Sequence, residues 1–237
     1  MTRDAQILQL DDAPGSGREE PIRLCFDEGT LLLEDIPVEF ESPEAFEFDD
    51  RVEAPRAPAK SYRRVLADLL RAGWKVCDEA REYAELDLRI RERFDAYDHQ
   101  VEAIEQWKAR SRRGIVVLPT GSGKTYVAQL AIEDLDRSTL VVVPTIDLMN
   151  QWSGVLEQAF DRQVGLLGGG YHEIEDLTVT TYDSAAIHMD RLGGRFGLIV
   201  FDEVHHLPGE VYRQAAEFSI APYRLGLTAT PERSDGK

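Results

Sequence analysis

The segment Leu118-Pro119-Thr120-Gly121-Ser122-Gly123-Lys124-Thr125 lies directly after the apolar run 115–118 and directly before a stretch with helical character. Glycines in that setting let backbone N–H groups turn around phosphate oxygens. The helix that follows adds its dipole, a lysine reaches the β- and γ-phosphates, and a threonine hydroxyl can meet Mg2+. Thr120, Gly121, Ser122, Gly123, Lys124 and Thr125 are therefore the candidate nucleotide-binding residues, and Thr125 is also a candidate metal contact. Leu118 stands where the full G-x-x-x-x-G-K-[ST] pattern has its first glycine. The competing reading is a glycine turn that does no more than open a helix.

A second segment, Phe201-Asp202-Glu203-Val204-His205-His206, closes the apolar run 198–201, and 78 residues separate Lys124 from Asp202. Ligands of open α/β sheets bind beyond the carboxyl ends of the strands, so this acid pair would face the same crevice as the glycine loop. Asp202 would hold Mg2+ and Glu203 would orient or deprotonate an attacking water. Taken alone, an Asp-Glu pair after a strand is usually a solvated turn. His205 and His206 have no further histidine or cysteine nearby to make a zinc site. A third segment, Gly226-Leu227-Thr228-Ala229-Thr230-Pro231, places two hydroxyls, Thr228 and Thr230, where they could bridge the acidic pair to a neighbouring groove.

These residues need a scaffold, and beyond residue 93 the pattern supplies one. Apolar strands expected at 114–118, 140–143, 164–167, 178–181, 198–202 and 224–228 alternate with amphipathic helices, clearest at Lys124–Leu135 and 145–160. Such alternation implies a parallel sheet with right-handed crossovers. Ahead of it, Ile22, Leu24 and Phe26 alternate with polar residues before an Asp-Glu-Gly turn and a second strand over 30–33, which is a hairpin pattern. Tyr62, Val65, Leu66, Leu69 and Leu70 recur at helical spacing, with Gly73 at the C-cap position and a strand expected at Trp74, Val76 and Cys77. Residues 1–20 are polar and read as a disordered tail.

With 237 residues and 43% apolar content the chain can bury a sizeable core. No apolar run approaches the roughly 20 residues that span a bilayer, and the N-terminus has no signal-peptide h-region. The two cysteines form no CxxC pair and fit a reducing compartment. Acidic residues outnumber basic ones 44 to 27, giving net charge −17, and only five of the basic residues are lysines. A diffuse acidic surface poor in lysine fits a protein that works in high salt, where self-repulsion is screened. An acidic protein of an ordinary mesophile is the alternative. Either way, nonspecific duplex binding at low salt is disfavoured and a local binding groove is not.

Taken together, Thr120 to Thr125, Asp202-Glu203-Val204-His205 and Thr228-Ala229-Thr230 resemble motifs I, II and III of superfamily 2 helicases, many of whose loops also lack the first glycine. Val143-Pro144-Thr145 with Gln151-Trp152, Thr181-Tyr182-Asp183-Ser184-Ala185, the doubled histidine and residues 220–228 look like the XPB branch, especially its archaeal members. The resemblance is specific over about 88–236 and weak, in layout only, over about 20–85. It implies an α/β fold, a RecA-like P-loop domain over 88–237 that is the first of two, preceded by a small α+β module over 21–87 akin to a damage-recognition domain.

The resemblance further implies ATP and Mg2+ as cofactors and DNA as a partner, in DNA repair or duplex opening. Gln100 looks like the glutamine that contacts adenine, although a surface helix glutamine reads the same way. Lys124, Asp202, Glu203 and His205 look catalytic. Thr145, Gln151 and Thr181 look like DNA-backbone contacts, and Thr228 and Thr230 look like the coupling hydroxyls. Arg233-Ser234-Asp235 departs from the family's Arg-Glu-Asp. Also implied are a second RecA-like domain, as a C-terminal half or a partner chain, and repair-nuclease or transcription-factor subunits. The setting would be an archaeal cytoplasm, with no membrane partner. Without the second domain's arginine finger, turnover by this chain is expected to be slow. Two other functions remain: the motor half of a restriction-type double-stranded DNA translocase, and a nucleotide-binding interaction module without efficient turnover. A small-molecule kinase would have no use for the second and third segments.

Overall fold

The computed structural model describes residues 6–8, 20–207 and 209–230. The chain divides into two compact units, one of residues 1–82 with 189–195 and 216–222, the other of the remainder.

The smaller unit is a six-stranded, mostly antiparallel sheet. Its strands are β1 (Gln6–Leu8), β2 (Ile22–Asp27), β3 (Thr30–Glu34), β4 (Glu47–Asp49), β5 (Ala54–Pro58) and β6 (Val76–Asp78), with helix α1 (Tyr62–Arg71) between β5 and β6. β2 and β3 form the expected hairpin. Asp27 pairs with Thr30, so Glu28 and Gly29 make a two-residue turn with positive φ at both positions, the I′ geometry that matches strand twist. Gly73, at φ 82, ends α1 by accepting the left-handed conformation while the Trp74 N–H bonds the Leu69 carbonyl at 3.1 Å.

Residues 1–20 do not all behave as a tail. Gln6–Leu8 pair antiparallel with β6, because the short Gln-Ile-Leu triplet can serve as an edge strand once a partner edge is open. Residues 1–5 and 9–19 lie outside the described residues. The unit also takes in two short segments that no pattern in the sequence joins to it. A Cβ on Gly193 would strike the Phe218 carbonyl and the Phe26 ring, so this close approach requires glycine.

The larger unit contains α2 (Asp98–Ala109), β7 (Arg113–Val117), α3 (Lys124–Leu135), β8 (Thr139–Val143), α4 (Ile146–Phe160), β9 (Val164–Gly168), β10 (Tyr171–His172) and β11 (Leu177–Thr181). α5 (Tyr182–Leu192), β12 (Leu198–Phe201), α6 (Glu210–Glu217) and β13 (Tyr223–Thr228) follow, the ends of α5 from residue 189 and of α6 from residue 216 being counted with the smaller unit. Its seven strands run in the order β10-β9-β11-β8-β12-β13-β7, all parallel except β10, and each expected strand of this region is present. β8, β11 and β12 are buried on both faces, which is why they read as continuous apolar or threonine-rich runs. Val127, Ala128, Ala131 and Ile132 of α3 and Met149, Trp152 and Leu156 of α4 recur at helical spacing and bury against the sheet. Among the described residues no helix is long and apolar enough to cross a membrane, and no group of three His, Cys, Asp or Glu side chains could hold a metal ion.

Candidate nucleotide and nucleic-acid site

Parallel strands bring all their carboxyl ends to one edge of the sheet. Residues 118–125 leave β7, Thr145 follows β8, Thr181 ends β11, Asp202 follows β12 and Thr228 ends β13. Gly121 and Gly123 both sit at φ 80, a left-handed conformation that glycine adopts without strain. A Cβ on Gly121 would meet open space, whereas one on Gly123 would collide with the Gln100 amide. Lys124 opens α3 and donates from Nζ to the Leu118 carbonyl at 3.2 Å. It makes no ion pair among the described residues, so its charge is available to an incoming anion. The Ser122 hydroxyl closes the turn onto the Pro119 carbonyl at 2.6 Å.

Gln100 is only 3% exposed, so it is not a surface residue. Its Nε2 donates to the Ser122 carbonyl at 3.0 Å and the Gly123 carbonyl at 3.4 Å, while its Oε1 accepts from the Tyr97 N–H at 3.0 Å. His99 Nε2 also meets the Ser122 carbonyl, at 3.0 Å. The glutamine expected to face a base thus also braces the glycine loop.

Asp202 is 8% exposed and both its carboxylate oxygens are engaged. Oδ2 accepts from Trp152 Nε1 at 2.8 Å and Oδ1 from the Glu203 N–H at 3.0 Å. A carboxylate has about four acceptor positions, so lone pairs remain for a metal or its water shell. Glu203 takes φ 47, and its Oε2 lies 3.4 Å from His205 Nδ1. That same nitrogen is 3.2 Å from Thr228 Oγ1, whose hydroxyl donates to the Thr230 carbonyl at 3.0 Å. The Leu118 N–H bonds the Thr228 carbonyl at 3.0 Å. Thr228 therefore touches both the acidic segment and the start of the glycine loop. The donor and acceptor set of this edge suits a nucleoside triphosphate with its divalent metal.

The three residues expected on nucleic acid differ in freedom. Thr145 is exposed and caps α4 by accepting from the Leu148 N–H at 3.2 Å; Gln151 is exposed on the same helix. Thr181 is buried, and its hydroxyl donates to Ser184 Oγ at 3.0 Å. The loop Gly168-Gly169-Gly170 joins these positions. A Cβ on Gly168 would crowd Ser184 and Thr181, and one on Gly169 would crowd Ile146 at the start of α4. Three consecutive glycines, all at positive φ, were the available signal for this junction. Arg233, Ser234 and Asp235 lie outside the described residues.

Residues 93–233 match the family described as type III restriction enzyme, res subunit, and residues 24–80 match the xeroderma pigmentosum group B helicase damage recognition domain. The chain belongs to the XPB-like helicases. It is 43% identical over 190 residues to the DNA 3'-5' translocase XPB2 of Sulfurisphaera tokodaii, covering 80% of this chain and 43% of that one. A Rad25 protein of Haloarcula marismortui is 35% identical over 201 residues, covering 78% and 31% respectively. The XPB-like chain thus spans less than half the length of these relatives. Its fold is similar to that of the UvsW helicase of bacteriophage T4, with TM-score 0.52 at 17% identity over 89% of this chain and 93% of that one.

Two residues of the XPB-like site escaped sequence reasoning as functional groups. Trp152 and Tyr182 follow Gln151 and Thr181 directly, and both turn inward onto Asp202. Burial, and then the charges of Asp202 and Glu203, hold the Tyr182 hydroxyl well above its ordinary pKa, so it acts as a donor at all working pH values. In the sequence both stood inside segments that resemble the XPB branch, each directly after a candidate backbone contact, with no role of their own assigned.

Proposed function

We propose that this chain is the first motor domain of a DNA-dependent ATPase that moves along or opens duplex DNA. In this reading the main chain of Thr120 to Gly123 and the ammonium of Lys124 hold the phosphates, and Thr125 with Asp202 holds Mg2+. When bound, the metal would supply charge neutralisation to the phosphates. Glu203 orients a water and takes its proton, and its neighbour His205 passes the state of that carboxylate to Thr228. Thr145, Gln151 and Thr181 set the register of a nucleic-acid backbone without reading bases. The observation that carries this reading is the contact of His205 with Thr228. It joins the acidic segment to a strand end that a plain phosphotransferase would leave unused. Archaeal relatives whose names are those of a DNA translocase and a DNA helicase support duplex opening, and fungal relatives named as subunits of a transcription and DNA repair factor support a repair setting. A cytoplasmic location and a second RecA-like domain that completes the site with an arginine finger belong to the same reading.

The test is phosphate release with and without single-stranded DNA. Hydrolysis that DNA stimulates, and that Glu203→Gln removes while nucleotide still binds, supports the reading. A chain that binds nucleotide yet never turns it over, even when a second RecA-like domain is added, would instead be an interaction module. The match over 93–233 also favours a second reading, a restriction-type translocase. Displacement of a bound protein from duplex DNA without strand separation would select it.

A further inference from the structure

Hydrogen bonds from two different helices converge on Asp202. Trp152, on the buried face of α4, donates to carboxylate Oδ2 at 2.8 Å. Tyr182, the first residue of α5, donates its hydroxyl to the Asp202 main-chain carbonyl at 3.0 Å. The two side chains are 3% and 2% exposed. With Glu203 N–H on Oδ1, a donor sits on each carboxylate oxygen and a third on the carbonyl, so both the plane of the carboxylate and the height of the residue above β12 are fixed. Water cannot replace either aromatic donor at these burials without a rearrangement.

The sequence neighbours of the donors give this clamp a direction. Trp152 follows Gln151, which is exposed on α4, and Tyr182 opens α5 directly after Thr181, the last residue of β11. On α4 the first residue of the pair lies on the exposed, proposed nucleic-acid side and the second reaches Asp202; at β11 the first residue, Thr181, is the buried end of the strand and its hydroxyl is held by Ser184. A translation of α4 that adjusts Gln151 must move Trp152, and a translation of α5 must move Tyr182, its first residue. We propose that Trp152 and Tyr182 are positioning residues that hold Asp202 as the metal of a nucleotide complex requires, and that make this hold depend on the placement of α4 and α5. The inference rests on the assignment of Asp202 to the metal in the proposed function. Groups that orient a metal ligand in this way typically change metal affinity or activity by about 10–100-fold when removed.

Trp152→Phe deletes the N–H and keeps an aromatic ring, and Tyr182→Phe deletes only the hydroxyl. The full chain is titrated with a fluorescent ATP analogue in EDTA and then with Mg2+ at fixed analogue. Trp152→Phe is expected to raise the Mg2+ concentration for half-maximal effect by about 10-fold or more. Tyr182→Phe should raise it several-fold, and both should leave affinity in EDTA within twofold of the parent chain. Saturating single-stranded DNA should shift the Mg2+ midpoint of the parent chain and not that of Trp152→Phe. A purely structural role would lower the melting temperature and weaken binding equally with and without Mg2+, which overturns the proposal. So does an unchanged Mg2+ midpoint, or an equal DNA shift in parent and variant. If Trp152→Phe does not fold, Tyr182→Phe and the indole N–H resonance of Trp152 in the parent chain decide. That resonance must move with Mg-nucleotide and stay with nucleotide in EDTA, and its failure to move overturns the proposal. A parent chain whose nucleotide affinity ignores Mg2+ altogether would instead remove Asp202 from the metal, and the positioning role would fall with it.

Discussion

Both units are sheets with helices, and both carry many charged side chains, yet they use them differently. In the larger unit the parallel strands deliver segments from 118 to 228 to one edge, where polar groups of distant sequence meet. In the smaller unit the strands are mostly antiparallel and their ends alternate between the two edges, so no comparable edge forms. Several of its charged groups are paired nearby, although Asp78 Oδ1 is buried without a hydrogen-bond partner among the described residues. Arg23 pairs with Glu34 and Glu79, Arg56 with Asp27 and Asp49, and Tyr62 with Asp78. Even Cys25, whose thiol is pushed up to about 12 by burial and then by Glu34 and Glu79, is held as an unreactive neutral group. A parallel sheet leaves charged residues for a ligand, whereas an antiparallel one of this size consumes them in its own cohesion.

The sharpest way to break that contrast is to remove one charge from each unit. Glu203→Gln should lower DNA-stimulated phosphate release by about 10²–10⁴-fold, the usual worth of a general base, with nucleotide binding kept. Lys124→Ala should abolish the rise in melting temperature that Mg-ATP gives the parent chain, since only a ligand bound to the native state stabilises it. Arg56→Ala, in the smaller unit, should leave both readouts as they are. A loss of turnover in Arg56→Ala comparable to that in Glu203→Gln would mean that the smaller unit also works on the nucleotide.

Two glycines with nearly the same backbone sharpen the comparison. Gly29 has φ 76 and Gly121 has φ 80. A Cβ on Gly29 would lie 2.6 Å from the Phe218 ring, and one on Gly121 would meet nothing. Gly29→Ala therefore carries the left-handed penalty and an overpacking penalty, about 3 kcal/mol in sum, or about 6–12 °C of melting temperature for a chain of this size. Nucleotide affinity should stay. Gly121→Ala should cost only about 1–2 kcal/mol of stability, yet its methyl would occupy the space the phosphates need and nucleotide affinity should fall at least tenfold. Thermal melting with and without Mg-ATP reads both effects, and equal behaviour of the two variants would contradict the contrast.

How far the sequence foretold each unit follows from the same physics. The strands of the larger unit were readable because strands buried on both faces must be apolar throughout, and the glycine loop because phosphate chemistry admits few residue types. The hairpin turn at Glu28-Gly29 and the cap at Gly73 were readable because positive φ selects glycine. Strands β4 and β5 were not, since Glu47–Asp49 and Ala54–Pro58 carry charges and two prolines and owe their pairing to tertiary context. Nor could the sequence join residues 189–195 and 216–222 to the smaller unit, because the contacts of Gly193 and Phe218 are long-range. In the candidate site, residue type singled out Asp202 as a candidate but was silent on Trp152 and Tyr182, whose apolar rings satisfy the core pattern equally well. The sequence also gave no sign that the amide of Gln100 hydrogen-bonds the glycine loop.

Acidity is common to both units and predicts a smaller effect. With net charge −17, the folded chain repels itself wherever screening is weak. Raising KCl from 0.1 M to 2 M shortens the screening length below about 10 Å and should lift the melting temperature by several degrees. Equal melting at both concentrations would count against a high-salt setting and would leave the nucleotide chemistry untouched.

The smallest expected effect lies in the smaller unit and tests whether its polar groups serve cohesion alone. Asp78 is 3% exposed, and burial raises its carboxyl above the usual carboxylate range despite the Tyr62 hydroxyl bonded to it and the Arg81 guanidinium 3.9 Å away. An unfolded chain releases this proton at a pH of about 3.9, and the folded chain keeps it to a higher pH. Between those two values the native state binds more protons than the unfolded state, so stability falls as pH rises through the window and then stays at its lower level. Asp78→Asn retains an acceptor for Tyr62 and has no charge to bury. Its melting temperature should therefore lack this fall, and the difference between parent and variant should grow with pH across the window and become constant above it. Mg-ATP should stabilise the two proteins equally at every pH, because the residue touches no part of the larger unit's site. A pH-independent difference in melting would show that Asp78 is not held protonated by burial, and an altered response to Mg-ATP would show that its role is not confined to holding its own sheet together.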